Sequence, residues 1–96
     1  MVDVLVIGAG PAGISAAIYA KRAGASVVVL YNGESNLEKA HKIDNYYGFE
    51  NGIDGKSLYE TGIKQAKNLE IDVKEEEVFD IKKENGTFFI ETENNE

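Results

Sequence analysis

Residues 2–13 read Val2-Asp3-Val4-Leu5-Val6-Ile7-Gly8-Ala9-Gly10-Pro11-Ala12-Gly13. An apolar run stops at a glycine cluster with GxGxxG spacing and helix-forming residues follow at once, so the stretch reads as strand, tight turn and helix. Each glycine has a separate task in that context. Gly8 turns the chain sharply, Gly10 lets a pyrophosphate approach the backbone, and Gly13 lets the helix lie close to the strand. Pro11 falls at the first helical position, where its missing N–H is no loss and its fixed φ suits the helix. The remaining N–H groups of that turn and the helix dipole favour a nearby anion by about 0.3 to 2 kcal/mol, so binding needs no basic side chain. The ligand that fits is a dinucleotide.

Working outward, residues 11–23 carry Ala12, Ala16, Ala17 and Ala20 with Ile14 and Ile18, a slim apolar face suited to a sheet. Lys21 and Arg22 complement the dipole in the last turn, and Gly24 ends the helix. Residues 26–31 contain Val27-Val28-Val29-Leu30, an unbroken run that predicts a strand covered on both faces, as in a parallel sheet. The first 31 residues therefore form a βαβ unit with a right-handed crossover. Dinucleotide folds often carry an acid at the end of this second strand to hold a ribose. Here Tyr31, Asn32 and Gly33 stand there, with Glu34 slightly later. Asn32 either bonds a ribose or serves as a turn residue beside Gly33.

Residues 32–55 carry four glycines and no sustained period, and a loop of that length inside one small domain is usually functional. Residues 37–42 suit a short helical turn. The rings of Tyr46, Tyr47 and Phe49 are expected to bury the loop against the domain. His41, the one histidine, has no partner at ligand spacing and reads as a loop residue. Asp54 suits an N-cap for a helix to about residue 68, with Leu58, Gly62, Ala66 and Leu69 on one side, Tyr59 and Ile63 beside them, and Lys56, Lys64 and Lys67 in water. Residues 71–74 predict a third strand. Glu75-Glu76-Glu77 reads as a solvated strand end, because it lacks the glycine turn and alternating oxygens of a cation loop. Residues 78–81 and 87–92 alternate around Asn85-Gly86, a hairpin signal, and the tail after residue 92 is polar and expected to fray.

The chain has 96 residues, room for one small domain, with no cysteine and a formal net charge of −7. That charge argues against nucleic acid or an anionic membrane as partner, since both need a basic surface. No apolar run approaches the roughly 20 residues of a membrane span, and the first strand lacks the flanks of a signal peptide, so a cytoplasmic location is expected. Without thiols, any redox work needs a bound cofactor. No residue qualifies as catalytic acid, base or nucleophile, and none as a metal ligand.

With these pieces placed, the chain resembles the N-terminal FAD-binding portion of the low-molecular-weight thioredoxin reductase family of pyridine-nucleotide-dependent flavoproteins. The matching features are the Asp3 to Gly13 stretch, Asp44-Asn45-Tyr46-Tyr47-Gly48-Phe49, the helix start Ile53-Asp54-Gly55-Lys56-Ser57-Leu58, and a hairpin after Glu76-Glu77-Val78. The resemblance covers essentially the whole chain. It implies an incomplete α/β Rossmann-like FAD-binding fold: a βαβ unit over 1–31, a flavin-side loop over 32–55, a helix and third parallel strand over 56–77, and an appended antiparallel hairpin over 78–92. It also implies that Gly8, Ala9, Gly10, Pro11, Ala12 and Gly13 hold the FAD pyrophosphate. Tyr31, Asn32 and Gly33 would lie beside the adenosine ribose, Asn45 near the flavin end, Asn36 in the place of a family glutamine, and Glu77 with Val78 at adenine. The chain departs from the family where Tyr47 replaces a usual proline and Glu34-Ser35-Asn36 a Gly-Gly-Gln segment.

Family members continue from the hairpin into further strands, one of which pairs with the first strand, and into an NADPH domain that carries the CxxC. The resemblance thus implies a truncated piece of a longer reductase that passes electrons from NAD(P)H through FAD to a disulfide or other acceptor. This chain alone would be inactive, and it would pair as a homodimer or strand-swapped assembly through the open edge of its first strand. Two alternatives stand beside that reading. One is a non-catalytic or oligomerising module whose glycine turn is empty, and the other, weakened by Tyr31 and by the lack of an arginine after the second strand, is an NAD(P)-binding domain.

Overall fold

The computed structural model describes residues 2–33 and 42–92. The expectations for Asn36, His41, the helical turn over 37–42 and the polar tail lie outside those residues. The element order is β1 (Val4–Ile7), α1 (Pro11–Arg22), β2 (Val27–Tyr31), α2 (Gly55–Asn68), β3 (Asp72–Glu75), β4 (Val78–Glu84) and β5 (Thr87–Thr92). The first three strands form a parallel sheet in the order β1-β2-β3, and β4 and β5 form a separate two-stranded sheet. The α/β architecture read from the sequence, parallel sheet with appended antiparallel hairpin, is the one observed.

The pairing of β1 with β2 runs from Val4↔Val27 to Ile7↔Leu30. A side-chain clamp fixes its start: Asp3 N–H donates to Ser26 Oγ at 2.9 Å and Ser26 N–H donates to Asp3 Oδ2 at 2.9 Å. Side chains alternate along each strand, so Val4, Val6, Val27, Val29, Tyr31 and Val73 join the core with Ile14 and Ala17 of α1 and Tyr59 and Ala66 of α2. The helices touch each other as well as the sheet and cover this side together. Val29, at the middle of the central strand, is fully buried. The other side of the sheet is less well covered than expected, with Ile7 54% exposed. Ala12 and Ala16, read as sheet-facing, are exposed, because the burial of α1 is centred on Ile14 and Ala17.

Both helices end with the same device. At the end of α1, Gly24 N–H donates to Lys21 O at 3.0 Å and Ala25 N–H donates to Ala20 O at 3.2 Å, while Gly24 has φ +94. At the end of α2, Glu70 N–H donates to Lys67 O at 3.0 Å, Ile71 N–H donates to Ala66 O at 3.1 Å, and Glu70 has φ +64. This is the left-handed helix stop that glycine usually fills. Ile71, just past it, is buried rather than paired, so β3 begins at Asp72, one residue later than expected. Leu69, expected on the inner side of α2, is 40% exposed because the chain has already turned. Glu70→Gly is expected to stabilise the protein by about 0.5–1 kcal/mol, read as a higher midpoint in urea unfolding.

The start of α2 follows its signal: Asp54 Oδ2 accepts from Ser57 N–H at 3.0 Å and from the Ser57 hydroxyl at 3.1 Å. The loop before it is pinned by an isolated bridge, Ile43↔Ile53. Of the three rings expected to bury this loop, Phe49 is half-buried and meets Tyr46 edge-on with centroids 6.2 Å apart. Tyr47, by contrast, is 97% exposed and points away from the domain. In the hairpin, β4 runs three residues beyond the predicted 78–81, because Lys82, Lys83 and Glu84 pair with Phe89, Phe88 and Thr87 whatever their polarity.

Candidate functional site

The carboxyl ends of β1 and β2 lie side by side, tied by a hydrogen bond from Gly8 N–H to Leu30 O at 2.7 Å. Gly8 adopts φ +115, a conformation that a side chain rarely tolerates. The turn it makes brings Gly10 to the N-cap of α1 with Pro11 first in the helix. Among the described residues no side chain caps that end and its first turn holds no acid, an arrangement that favours a nearby anion.

Beside this turn lies an open cavity of about 400 Å³. The turn contributes Ile7, Gly8, Ala9 and Gly10, and the exit of β2 contributes Leu30, Tyr31, Asn32 and Gly33. The junction between β3 and β4 closes the far side with Glu76, Glu77 and Val78. That junction is held against β2 by a hydrogen bond from Glu76 N–H to Tyr31 O at 2.9 Å. Tyr59 of α2 forms the floor, its ring edge-on to Tyr31 with centroids 6.4 Å apart. Eight of the residues read from the sequence therefore line one space: Gly8, Ala9, Gly10, Tyr31, Asn32, Gly33, Glu77 and Val78.

The remaining residues read from the sequence sit differently. Pro11 lines a second, smaller cavity of about 200 Å³ between α1 and α2, roofed by Tyr46 and Phe49 and reached also by Ala9 and Gly10. Ala12 and Gly13 lie in the first turn of α1 and line neither cavity. Asn45 is exposed next to Tyr46 and also lines neither. Four cavity residues were not read as site residues: Ile7, Leu30, Glu76 and Tyr59. Ile7 and Leu30 follow from strand register, since each is the last or near-last residue before a glycine-bearing turn. Tyr59 reaches the cavity only through tertiary packing and left no local signal.

The lining is suited to a nucleotide. A Cβ built on Gly10 meets nothing within 4 Å, so the space over its backbone is open to a ligand. A Cβ on Gly13 would collide with the carbonyl oxygen of Gly8, so the helix can sit this close to the turn because position 13 is glycine. Among the described residues no group of His, Cys, Asp and Glu is placed to hold a metal ion. No described helix is long and apolar enough to cross a membrane.

Fold and site together define a dinucleotide-fold domain with its cavity at the carboxyl ends of parallel strands. The pyridine nucleotide-disulphide oxidoreductase family matches residues 2–96, and the chain belongs to that family. It is 36% identical over 94 residues to the thioredoxin reductase of Borreliella burgdorferi, a match covering 96% of this chain and 29% of that protein. The crystal structure of the thioredoxin reductase of T. acidophilum superposes with a TM-score of 0.87 at 39% identity, covering 98% of this chain and 31% of that one. A ferredoxin-flavin thioredoxin reductase from Clostridium acetobutylicum superposes with a TM-score of 0.82 at 35% identity, covering 96% and 32%. The chain thus spans less than a third of the length of these relatives.

Proposed function

We propose that this chain binds FAD and is the FAD-binding portion of a thioredoxin reductase-like oxidoreductase. The observation that carries the reading is the convergence of the glycine turn, the exit of β2 and the β3–β4 junction on one cavity of about 400 Å³. The pyrophosphate would meet the N–H groups at the start of α1 near Gly10, Ala12 and Gly13. The adenosine would extend past Tyr31, Asn32 and Gly33 to Glu77 and Val78. The flavin end would run toward the loop over 32–55, with Asn45 on that side. FAD supplies the electron chemistry when bound, and this chain supplies position and a local field. In the longer reductase, electrons would pass from NAD(P)H through FAD to a disulfide or another acceptor. Titrating the protein with FAD and following the quenching of flavin fluorescence tests the reading. Saturation at one flavin per chain supports it, and an unchanged signal overturns it.

A further part of the proposal concerns assembly. Among the described residues the sheet order β1-β2-β3 gives β1 a neighbour on one side only, and Ile7 at its end is 54% exposed. Unpaired apolar edges recruit other chains. We therefore expect the protein to form a homodimer or a strand-swapped pair across β1. Light scattering over a wide concentration range should give twice the chain mass, and a monomer mass at every concentration would contradict it.

A further inference from the structure

Gly62 sits inside α2, where glycine is less favourable than alanine because it leaves the unfolded backbone too free. Packing does not require it. Outside its own helix, a Cβ built there meets only Ile14 Cγ2, at 4.0 Å, an ordinary contact distance, whereas one on Gly13 runs into a carbonyl oxygen. Gly62 does line the cavity of about 200 Å³ between the two helices, so the missing side chain keeps that space open.

The lining has a regular origin. Pro11, Ile14, Ser15 and Ile18 recur at the spacing of one stripe along α1, and Leu58, Thr61, Gly62 and Gln65 repeat that spacing on α2. The cavity lies where the two stripes face each other, under the edge-on pair Tyr46 and Phe49. Among the described residues that line it none is Asp, Glu, Lys, Arg or His, in a chain whose formal net charge is −7. Such a lining gives an ion nothing in exchange for its hydration, so the occupant it suits is uncharged.

We propose that this cavity is a second ligand site, separate from the FAD cavity, for a small uncharged aromatic molecule of one or two fused rings that carries a hydrogen-bonding group. Size and chemistry agree. An apolar cavity of about 150 Å³ holds benzene, and this larger one has room for a fused pair. Tyrosine and phenylalanine rings favour edge-on or offset contact with another ring. Ser15, Thr61 and Gln65 are exposed, and their hydroxyl and amide groups suit the single polar group of such a ligand. Among the described residues the two cavities share only Ala9, Gly10 and Tyr59, and the proposal does not depend on FAD being bound.

The test titrates the isotope-labelled protein with indole and follows its amide NMR spectrum. Saturable shifts at Ser15, Ile18, Thr61 and Gly62 are expected, with a dissociation constant of about 1 mM or tighter. Benzoate, a charged ring, should give none. Gly62→Leu fills the cavity from α2 and Ser15→Leu from α1, and each should weaken indole by at least about tenfold. Gly62→Ala should raise the thermal midpoint by about 3–6 °C, as expected where packing does not need the glycine. Thermal melts establish that each leucine variant folds, and if one does not, the other decides. Absence of saturable shifts at these residues, benzoate bound as well as indole, undiminished binding in a folded leucine variant, or a lowered midpoint in Gly62→Ala overturns the proposal. One-for-one displacement of indole by FAD would make this cavity part of the FAD site and overturns it too, while FAD binding stands. Indole bound by a protein that takes up no FAD supports the second site and overturns only the FAD reading.

Discussion

Gly13→Ala should destabilise this protein by about 3 kcal/mol or more, the upper end of what overpacking costs. The added methyl would collide with the carbonyl oxygen of Gly8 and stand 3.1 Å from the Gly8 carbonyl carbon and 3.2 Å from Val6 Cγ1. The first obstacle is backbone and cannot swing aside, and it is anchored by the hydrogen bond from Gly8 N–H to Leu30 O at 2.7 Å. Relief therefore requires α1 to move off β1. That movement would open the core at Ile14 and Ala17, both buried in it. In a domain of this size a loss of 3 kcal/mol lowers the thermal midpoint by on the order of 15 °C. Calorimetry checks it, and a midpoint within a few degrees of the original would show that the helix is not seated on the turn as described.

Gly10→Ala should do the opposite, leaving the fold and removing the ligand. A Cβ there meets no protein atom within 4 Å, and the residue sits at φ −73, which alanine adopts readily. The cost to stability is the few tenths to about 1 kcal/mol of a poorer N-cap. The methyl would, however, project into the space over the backbone where a pyrophosphate must come into contact. FAD affinity is expected to fall by about 100-fold, roughly 2.7 kcal/mol. Fluorescence titration of the variant beside the unsubstituted protein measures this. Undiminished affinity would place the pyrophosphate elsewhere. The pair of alanine substitutions, three positions apart, separates the glycine that builds the fold from the glycine that serves the site.

Much of this was legible in the sequence, for reasons that differ from element to element. The boundaries of β1, α1 and β2 were readable because Gly8, Pro11 and Gly24 are local signals, each acting on its own backbone. Asp54 announced α2 in the same way, and Asn85-Gly86 announced the turn between β4 and β5. Burial was less legible, since it depends on which neighbour covers a residue. Tyr47 looked like part of an aromatic cluster, yet only Phe49 and Tyr46 meet. Leu69 fits the apolar period of α2, yet the left-handed Glu70 turns the chain before that period is used. The site was legible where one segment carries it, as at Gly8, Ala9 and Gly10. It was least legible at Glu76, which read as a solvated strand end because nothing in its neighbours tells that Tyr31 lies across a hydrogen bond. Tyr59 was hidden for the same reason, being brought to Tyr31 by the packing of α2 on the sheet.

That packing brings three distant segments around one cavity, and the central claim is that the cavity holds FAD. The most direct measurement is the visible absorption spectrum of the purified protein after incubation with excess FAD and desalting. The account predicts retained flavin bands at about one flavin per chain, abolished in Gly10→Ala. A colourless protein that melts cooperatively and has shed all flavin would contradict it.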